Sequence, residues 1–220
     1  MQFTNKKITI QIGRNKFNGV LTIPPRARSL IIFSHGGGGG KSAPRNNAVA
    51  RYLNQHNFGT LLFDALTKEE DSSNKNNLNI HLLSTRLVSV TSWLMEQPEA
   101  KNLQIGYFAV GSGTAAAIIT ATKLGTENRK PAIFAIVSKS GRPDLAPHSI
   151  NLLRTPILLI TGEDDELITE INEKAFVTIP SKKEMVVVPD ADHLFDEAGA
   201  LNKVAKLSLK WFRKHKKKKV

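Results

Sequence analysis

Cysteine is absent from the 220 residues, which removes disulfides, thiolate metal sites and a cysteine nucleophile, and leaves the redox compartment unconstrained. Long apolar runs are absent too. No stretch approaches the length needed to span a bilayer, and Met1-Gln2-Phe3-Thr4-Asn5-Lys6-Lys7 lacks the apolar core of a signal peptide, so a cytoplasmic location with no membrane partner is expected. Linkers, low-complexity spacers and internal repeats are missing as well, which argues for one domain. Acid is missing from one end only: Lys203 to Val220 holds nine Lys and Arg and no Asp or Glu. Setting those nine aside leaves 22 bases against 19 acids, so the formal charge of +12 belongs to a final helix and its tail. Only Trp211 and Phe212 interleave with these bases, on the expected buried face. The pattern is that of a solvated helix end rather than a nucleic-acid surface.

What is present is an ordinary globular composition, 40% apolar and 23% charged. Strand-like and helix-like segments alternate along the chain, which predicts an α/β fold across residues 1–215 with a basic tail at 216–220. Ile8–Ile12 and Gly19–Ile23 form a candidate hairpin joined through Gly13 to Asn18, and Pro24-Pro25 ends it. Apolar runs at Leu30–Phe33, Thr60–Phe63, Leu103–Val110, Ile133–Val137, Ile157–Ile160 and Met185–Val188 predict strands buried on both faces, about eight strands in all. Helical spacing is clearest in Ile80, Leu83, Leu87, Val90 and Leu94. It recurs in Ala48–Leu53, Thr114–Leu124, Leu167–Phe176 and the set Leu201, Val204, Ala205, Trp211, Phe212. In such a sheet the loops beyond the strand C-termini carry function.

Four of those loops hold chemistry. Ser34-His35-Gly36-Gly37-Gly38-Gly39-Gly40-Lys41-Ser42 frees backbone N–H groups for an anion, either an oxyanion or a phosphate. Gly40-Lys41-Ser42 matches the end of a Walker A loop and Leu61-Leu62-Phe63-Asp64 a Walker B strand, although the first Walker glycine falls on His35. Val110-Gly111-Ser112-Gly113-Thr114 stands where a nucleophile elbow belongs. Centred on Gly111, the elbow has small flanks, Ala109 and Gly113, but no hydroxyl. Centred on Ser112, it has the hydroxyl but β-branched flanks, Val110 and Thr114; Ser112 is equally at home as a helix N-cap. Thr161-Gly162-Glu163-Asp164-Asp165-Glu166 offers an acid after a strand, with Asp165 preferred over Asp164 because it closes a Gly-x-x-Asp turn before the next helix. Pro189-Asp190-Ala191-Asp192-His193 places His193 just beyond the last strand, and the chain order Ser, Asp, His is that of α/β-hydrolases.

At these residues the chain resembles the dienelactone hydrolase family, and within it the small bacterial hydrolases sometimes fused to phosphoribosyltransferases. The resemblance runs through Ser34-His35-Gly36, Pro44-Arg45-Asn46, Leu61-Leu62-Phe63-Asp64-Ala65-Leu66-Thr67, Ile105-Gly106-Tyr107-Phe108, Gly141-Arg142-Pro143-Asp144-Leu145-Ala146 and His193-Leu194-Phe195. It implies an α/β-hydrolase fold, no lid domain between Val137 and Ile157, and Asp165 and His193 as acid and base. Family members read like Gly-Ala-Ser-Thr-Gly at the elbow. The ungapped alignment gives Ala109-Val110-Gly111-Ser112-Gly113 here, with the family serine falling on Gly111.

The leading expectation is a serine hydrolase of a small ester or lactone, with Ser112 as nucleophile, His193 as base, Asp165 as its orienter, Gly37 and Gly113 N–H groups as oxyanion hole, and no metal or cofactor. The alternative is a catalytically silent hydrolase-fold protein that binds a small molecule or a partner. A third is a nucleotide-binding module built on Gly40-Lys41-Ser42.

Overall fold

The computed structural model describes residues 5–36, 43–71, 76–127 and 132–217. In chain order the strands are β1 (Asn5–Ile12), β2 (Asn15–Thr22), β3 (Ser29–Ser34), β4 (Gly59–Phe63), β5 (Gln104–Val110), β6 (Ile133–Lys139), β7 (Ile157–Gly162) and β8 (Lys183–Val188). The helices are α1 (Pro44–Gln55), α2 (Lys68–Asp71), α3 (Ile80–Glu96), α4 (Gly113–Glu127), α5 (Pro147–Ile150), α6 (Glu166–Thr178) and α7 (Ala200–His215). The strands form one sheet in the order β1-β2-β4-β3-β5-β6-β7-β8, antiparallel at β1-β2 and β2-β4 and parallel thereafter. All eight expected strands are present and no lid interrupts the chain between β6 and β7. The hairpin turn is tighter than expected: Asn15 to Asn18 belong to β2, and Gly13, at φ +58°, makes the reversal that its missing Cβ permits. β8 departs from the doubly buried expectation, because it is the sheet edge and only Val188 of it is buried.

Side-chain alternation splits the core in two. Leu30 and Ile32 of β3, with Tyr107 and Ala109 of β5, face the apolar stripes of α3 and α4. Ile31 and Phe33, with Phe108, face α1 and α7 instead. On α7 the buried stripe is Val204, Ala205, Leu209, Trp211 and Phe212, while Lys203, Lys206, Lys210 and Arg213 stay exposed, so the basic surplus is a solvated face. The start of the tail is attached to the body: Lys216 lies 5.2 Å over the Phe58 ring, and Lys217 exchanges two hydrogen bonds with the Gln104 side chain, at 2.7 and 3.2 Å. No helix among the described residues is long and apolar enough to cross a membrane.

One buried ion pair ties α3 to the segment after β4. The Arg86 guanidinium, 8% exposed, donates to both oxygens of Glu70 at 2.6 and 2.7 Å and to the Ala65 carbonyl at 2.8 Å, and lies 4.4 Å over Phe17. The hydrogen bonds from Arg86, helped by the Thr67 N–H and opposed by desolvation, hold the Glu70 carboxyl down at about 2. A carboxyl depressed by folding adds stability above its unfolded value, near 4.5, and that stability is lost as pH falls toward about 2. Glu70→Gln should therefore lower stability by about 1–3 kcal/mol at neutral pH. The gap to wild type in thermal melts should close through that acid window; a gap that stays constant down to pH 2 would refute the assignment.

Candidate active site

The chain reverses its direction of travel across the sheet at β3: β4 lies on one side of it and β5 on the other. Such a switch point opens a crevice beyond the strand C-termini. A cavity of about 410 Å³ occupies it here, lined from the ends of successive elements. His35 and Gly36 follow β3, Gly111 and Ser112 follow β5, Lys139 ends β6 and Ser140 and Arg142 follow it, Asp165 follows β7, and His193 and Leu194 follow β8. Arg45 and Asn46 come from the start of α1, while Val110, Ile168 and the exposed Leu78 add apolar wall.

The turn from β5 into α4 is an elbow with Gly111 at its apex, at φ +55°. Its carbonyl accepts from Thr114 N–H at 3.1 Å and Arg142 N–H at 3.0 Å, and its N–H reaches the Lys139 carbonyl at 3.4 Å. A Cβ at position 111 would meet nothing within 4 Å. A Cβ at Gly113 would fall 2.4 Å from the Ser34 carbonyl oxygen, so no side chain fits there. Ala109 is fully buried. The small-residue requirement of an elbow is thus met around Gly111. Ser112 comes next, buried at the entrance of α4, with its hydroxyl-bearing residue in the cavity wall rather than on the apex.

Asp165 closes the expected turn, its N–H donating to the Gly162 carbonyl at 3.2 Å, and it caps α6 through Oδ1, which accepts from Ile168 N–H at 3.3 Å. Among the described residues its Oδ2 accepts no hydrogen bond, and none joins it to His193. Asp144, the other acid near this edge, is taken by a two-pronged bond from Arg142 at 2.9 and 2.7 Å. His193 is exposed, but its backbone is fixed: its carbonyl accepts from Lys139 Nζ at 2.9 Å and Ser140 Oγ at 3.1 Å. Asp192 Oδ1 accepts from the Leu194 and Phe195 N–H groups at 2.6 and 3.0 Å, turning the loop back, and Phe195 takes φ +61°. Arg45 pins the far side of this loop through a two-pronged pair with Asp196.

The structure therefore brings Ser112, Asp165 and His193 to one cavity. Gly113 stands behind the wall against Ser34 and His35, outside the cavity lining. Gly37 and Gly40-Lys41-Ser42 lie outside the described residues. Three wall residues have no role assigned from the sequence, although two of them lie in strings that carry the family resemblance: His35, whose ring nitrogens face the Phe63 carbonyl at 2.9 Å and the Gly36 carbonyl, Arg45, and Lys139. Lys139 is 3% exposed, 4.6 Å over the Phe195 ring. Burial, reinforced by Arg45 and opposed by Asp192 and Asp196, pushes its amine down to about 8. Among the described residues no group of three His, Asp or Glu is placed to hold a metal ion.

The structure superimposes on a dienelactone hydrolase from Anabaena variabilis with a TM-score of 0.92 and 36% identity, covering 99% of this chain and 100% of that one. The chain belongs to the dienelactone hydrolase family. Est1E from Butyrivibrio proteoclasticus, at TM-score 0.77 and 15% identity over 96% of this chain and all of that one, shares the family's α/β-hydrolase fold. So does a dienelactone hydrolase-like promiscuous phosphotriesterase from metagenomic libraries, at 0.75 and 16% over 97% of this chain and 98% of that one. Two strains of Mycobacterium tuberculosis carry proteins provisionally named phosphoribosyl transferase that are 40% identical over 96% of this chain. The chain spans 46% of their length. No family model matches the chain.

The crowding at the elbow yields a prediction that separates its two glycines. Gly113→Ala must push its methyl into the β3 backbone and should cost about 3 kcal/mol. Gly111→Ala meets only the penalty of a positive φ, about 1 kcal/mol. Denaturant unfolding of both variants checks this; equal losses would mean the elbow is not centred on position 111.

Proposed function

We propose that the chain hydrolyses small carboxylic esters or lactones, with Ser112 as nucleophile, His193 as general base and Asp165 as the residue that orients the imidazole. The carrying observation is convergence: the three side chains, delivered from β5, β7 and β8, line one cavity in the α/β-hydrolase order. In this reading His193 takes the Ser112 hydroxyl proton as the oxygen bonds to the carbonyl carbon, and returns it to the departing alkoxide. Water then repeats the sequence on the acyl-enzyme. The free Oδ2 of Asp165 receives the imidazole N–H while Oδ1 keeps its cap on α6. Negative charge on the tetrahedral intermediate is met by the Gly113 N–H, next after Ser112, and by the positive end of α4; Gly37, the other expected donor, lies outside the described residues. A cavity of about 410 Å³, with no lid domain among the described residues, suits a small substrate.

A second reading, a silent binder of a small molecule, is favoured by one observation: the apex position holds Gly111, where the family carries serine. Hydrolysis of p-nitrophenyl acetate separates the two. If Ser112 is the nucleophile, Ser112→Ala and His193→Ala should each lower the rate about 10²-fold or more, and Asp165→Asn by a similar order. Asp144→Asn should leave it nearly unchanged, since Asp144 is held by Arg142. An inert wild type that gains activity on Gly111→Ser would establish the silent reading instead.

A further inference from the structure

Lys139 is the group that the proposed hydrolysis leaves unused. A lysine at the end of a sheet strand ordinarily reaches water along its stem. This one is 3% exposed, yet it lines the cavity. Its ammonium has a single hydrogen-bond acceptor, the His193 carbonyl at 2.9 Å, and one ring face, Phe195 at 4.6 Å. Among the described residues no carboxylate lies within ion-pair distance of it: Asp192 and, more weakly, Asp196 act on its charge from the loop after β8, but Asp192 accepts from the Leu194 and Phe195 N–H groups and Asp196 is engaged by Arg45. A buried cation without a partner charge is costly, and the neutral amine is the form such a place favours. The neutral amine is also a nucleophile.

We propose that Lys139 is a carbonyl-condensing site: its amine adds to a small aldehyde or ketone held in the cavity and forms an imine. The Nζ lone pair forms the new C–N bond, the carbonyl oxygen takes up a proton to give a carbinolamine, and loss of water with an Nζ proton leaves C=N. No oxidant or reductant is consumed. Lys139 is positioned for this by the register of the sheet, which pairs it with Val110, directly before the Gly111 apex. The Lys139 backbone therefore runs beside the apex, with the Gly111 N–H reaching its carbonyl at 3.4 Å, and both residues line the cavity. The charged groups that face the amine are Arg45 from α1 and Asp192, His193 and Asp196 from the loop after β8; Arg142 and Asp165 share the cavity. With its amine near 8, Lys139 has a far larger neutral fraction at neutral pH than an exposed lysine does.

The inference stands apart from the Ser112 reading, because the amine needs no hydroxyl. It is tested by incubating the whole chain with propanal and cyanoborohydride at neutral pH and mapping reductive alkylation by peptide mass spectrometry. Lys139 should label at least about tenfold faster than the exposed Lys203, Lys206 and Lys210. The preference should vanish in denaturant, and Ser112→Ala should keep it. Lys139→Gln, which keeps an N–H donor toward the His193 carbonyl and removes the buried charge, should remove the label while the chain stays folded in thermal melts. If that variant does not fold, the native-against-denatured ratio on the wild type still decides. Labelling of Lys139 no faster than that of the helix lysines, or equal in the native and unfolded chain, would overturn the proposal and leave Lys139 as a tether for the His193 loop.

Discussion

The contact between the β3 terminus and the first turn of α4 sets the geometry of everything around it. Gly113 is pressed against the Ser34 carbonyl, and the Ser34 hydroxyl donates to the Gly113 carbonyl at 3.0 Å. That approach fixes where α4 begins, and hence forces β5 to reverse in a single residue of positive φ. Gly141 is crowded in the same way from the other side, where a Cβ would meet Ser138 Oγ at 2.0 Å and Thr114 Oγ1 at 2.5 Å. The ends of β3, β5 and β6 are therefore locked to one another, by backbone contact at Gly113 and by the Ser138 and Thr114 side chains at Gly141. A site built on such close approach is precise because few alternative packings exist.

The other half of the site is built differently. The His193 loop is anchored by the buried Ala191 and Phe195 and aimed by polar ties: two hydrogen bonds to its carbonyl, the Asp192 turn and the Arg45–Asp196 pair. Removing any one of these leaves the strand ends untouched but loosens the imidazole.

Much of this was legible in the sequence, for identifiable reasons. The inner strands are buried on both faces, so their apolar runs announce them. The sequence places Asp165 and His193 at the cavity because each stands just beyond a strand, Asp165 closing the Gly-x-x-Asp turn after β7 and His193 following β8. β8 is legible only in its last four residues, since an edge strand buries too little to be continuously apolar, and Asn15 to Asn18 read as loop because Asn15, Lys16 and Asn18 face water, although Phe17 between them is buried and their backbone pairs with β1. Lys139 was invisible for a different reason. After an apolar strand a lysine reads as solvated, and its burial comes from Phe195 and His193, more than fifty residues later, folding over it. Arg45 and Asp196, 151 positions apart, are the same case. The elbow lies between these extremes: its crowding is local and readable, but which residue occupies the apex is a backbone torsion that sequence does not display.

The central claim is that hydrolytic capacity has moved one residue, from the apex at Gly111 to Ser112 at the mouth of α4. Reaction with an active-site-directed fluorophosphonate, followed by mass-spectrometric location of the adduct, tests it most directly. The account predicts a single covalent adduct on Ser112 that His193→Ala suppresses. A wild-type chain that takes up no label, or that is labelled at any other serine, would contradict it.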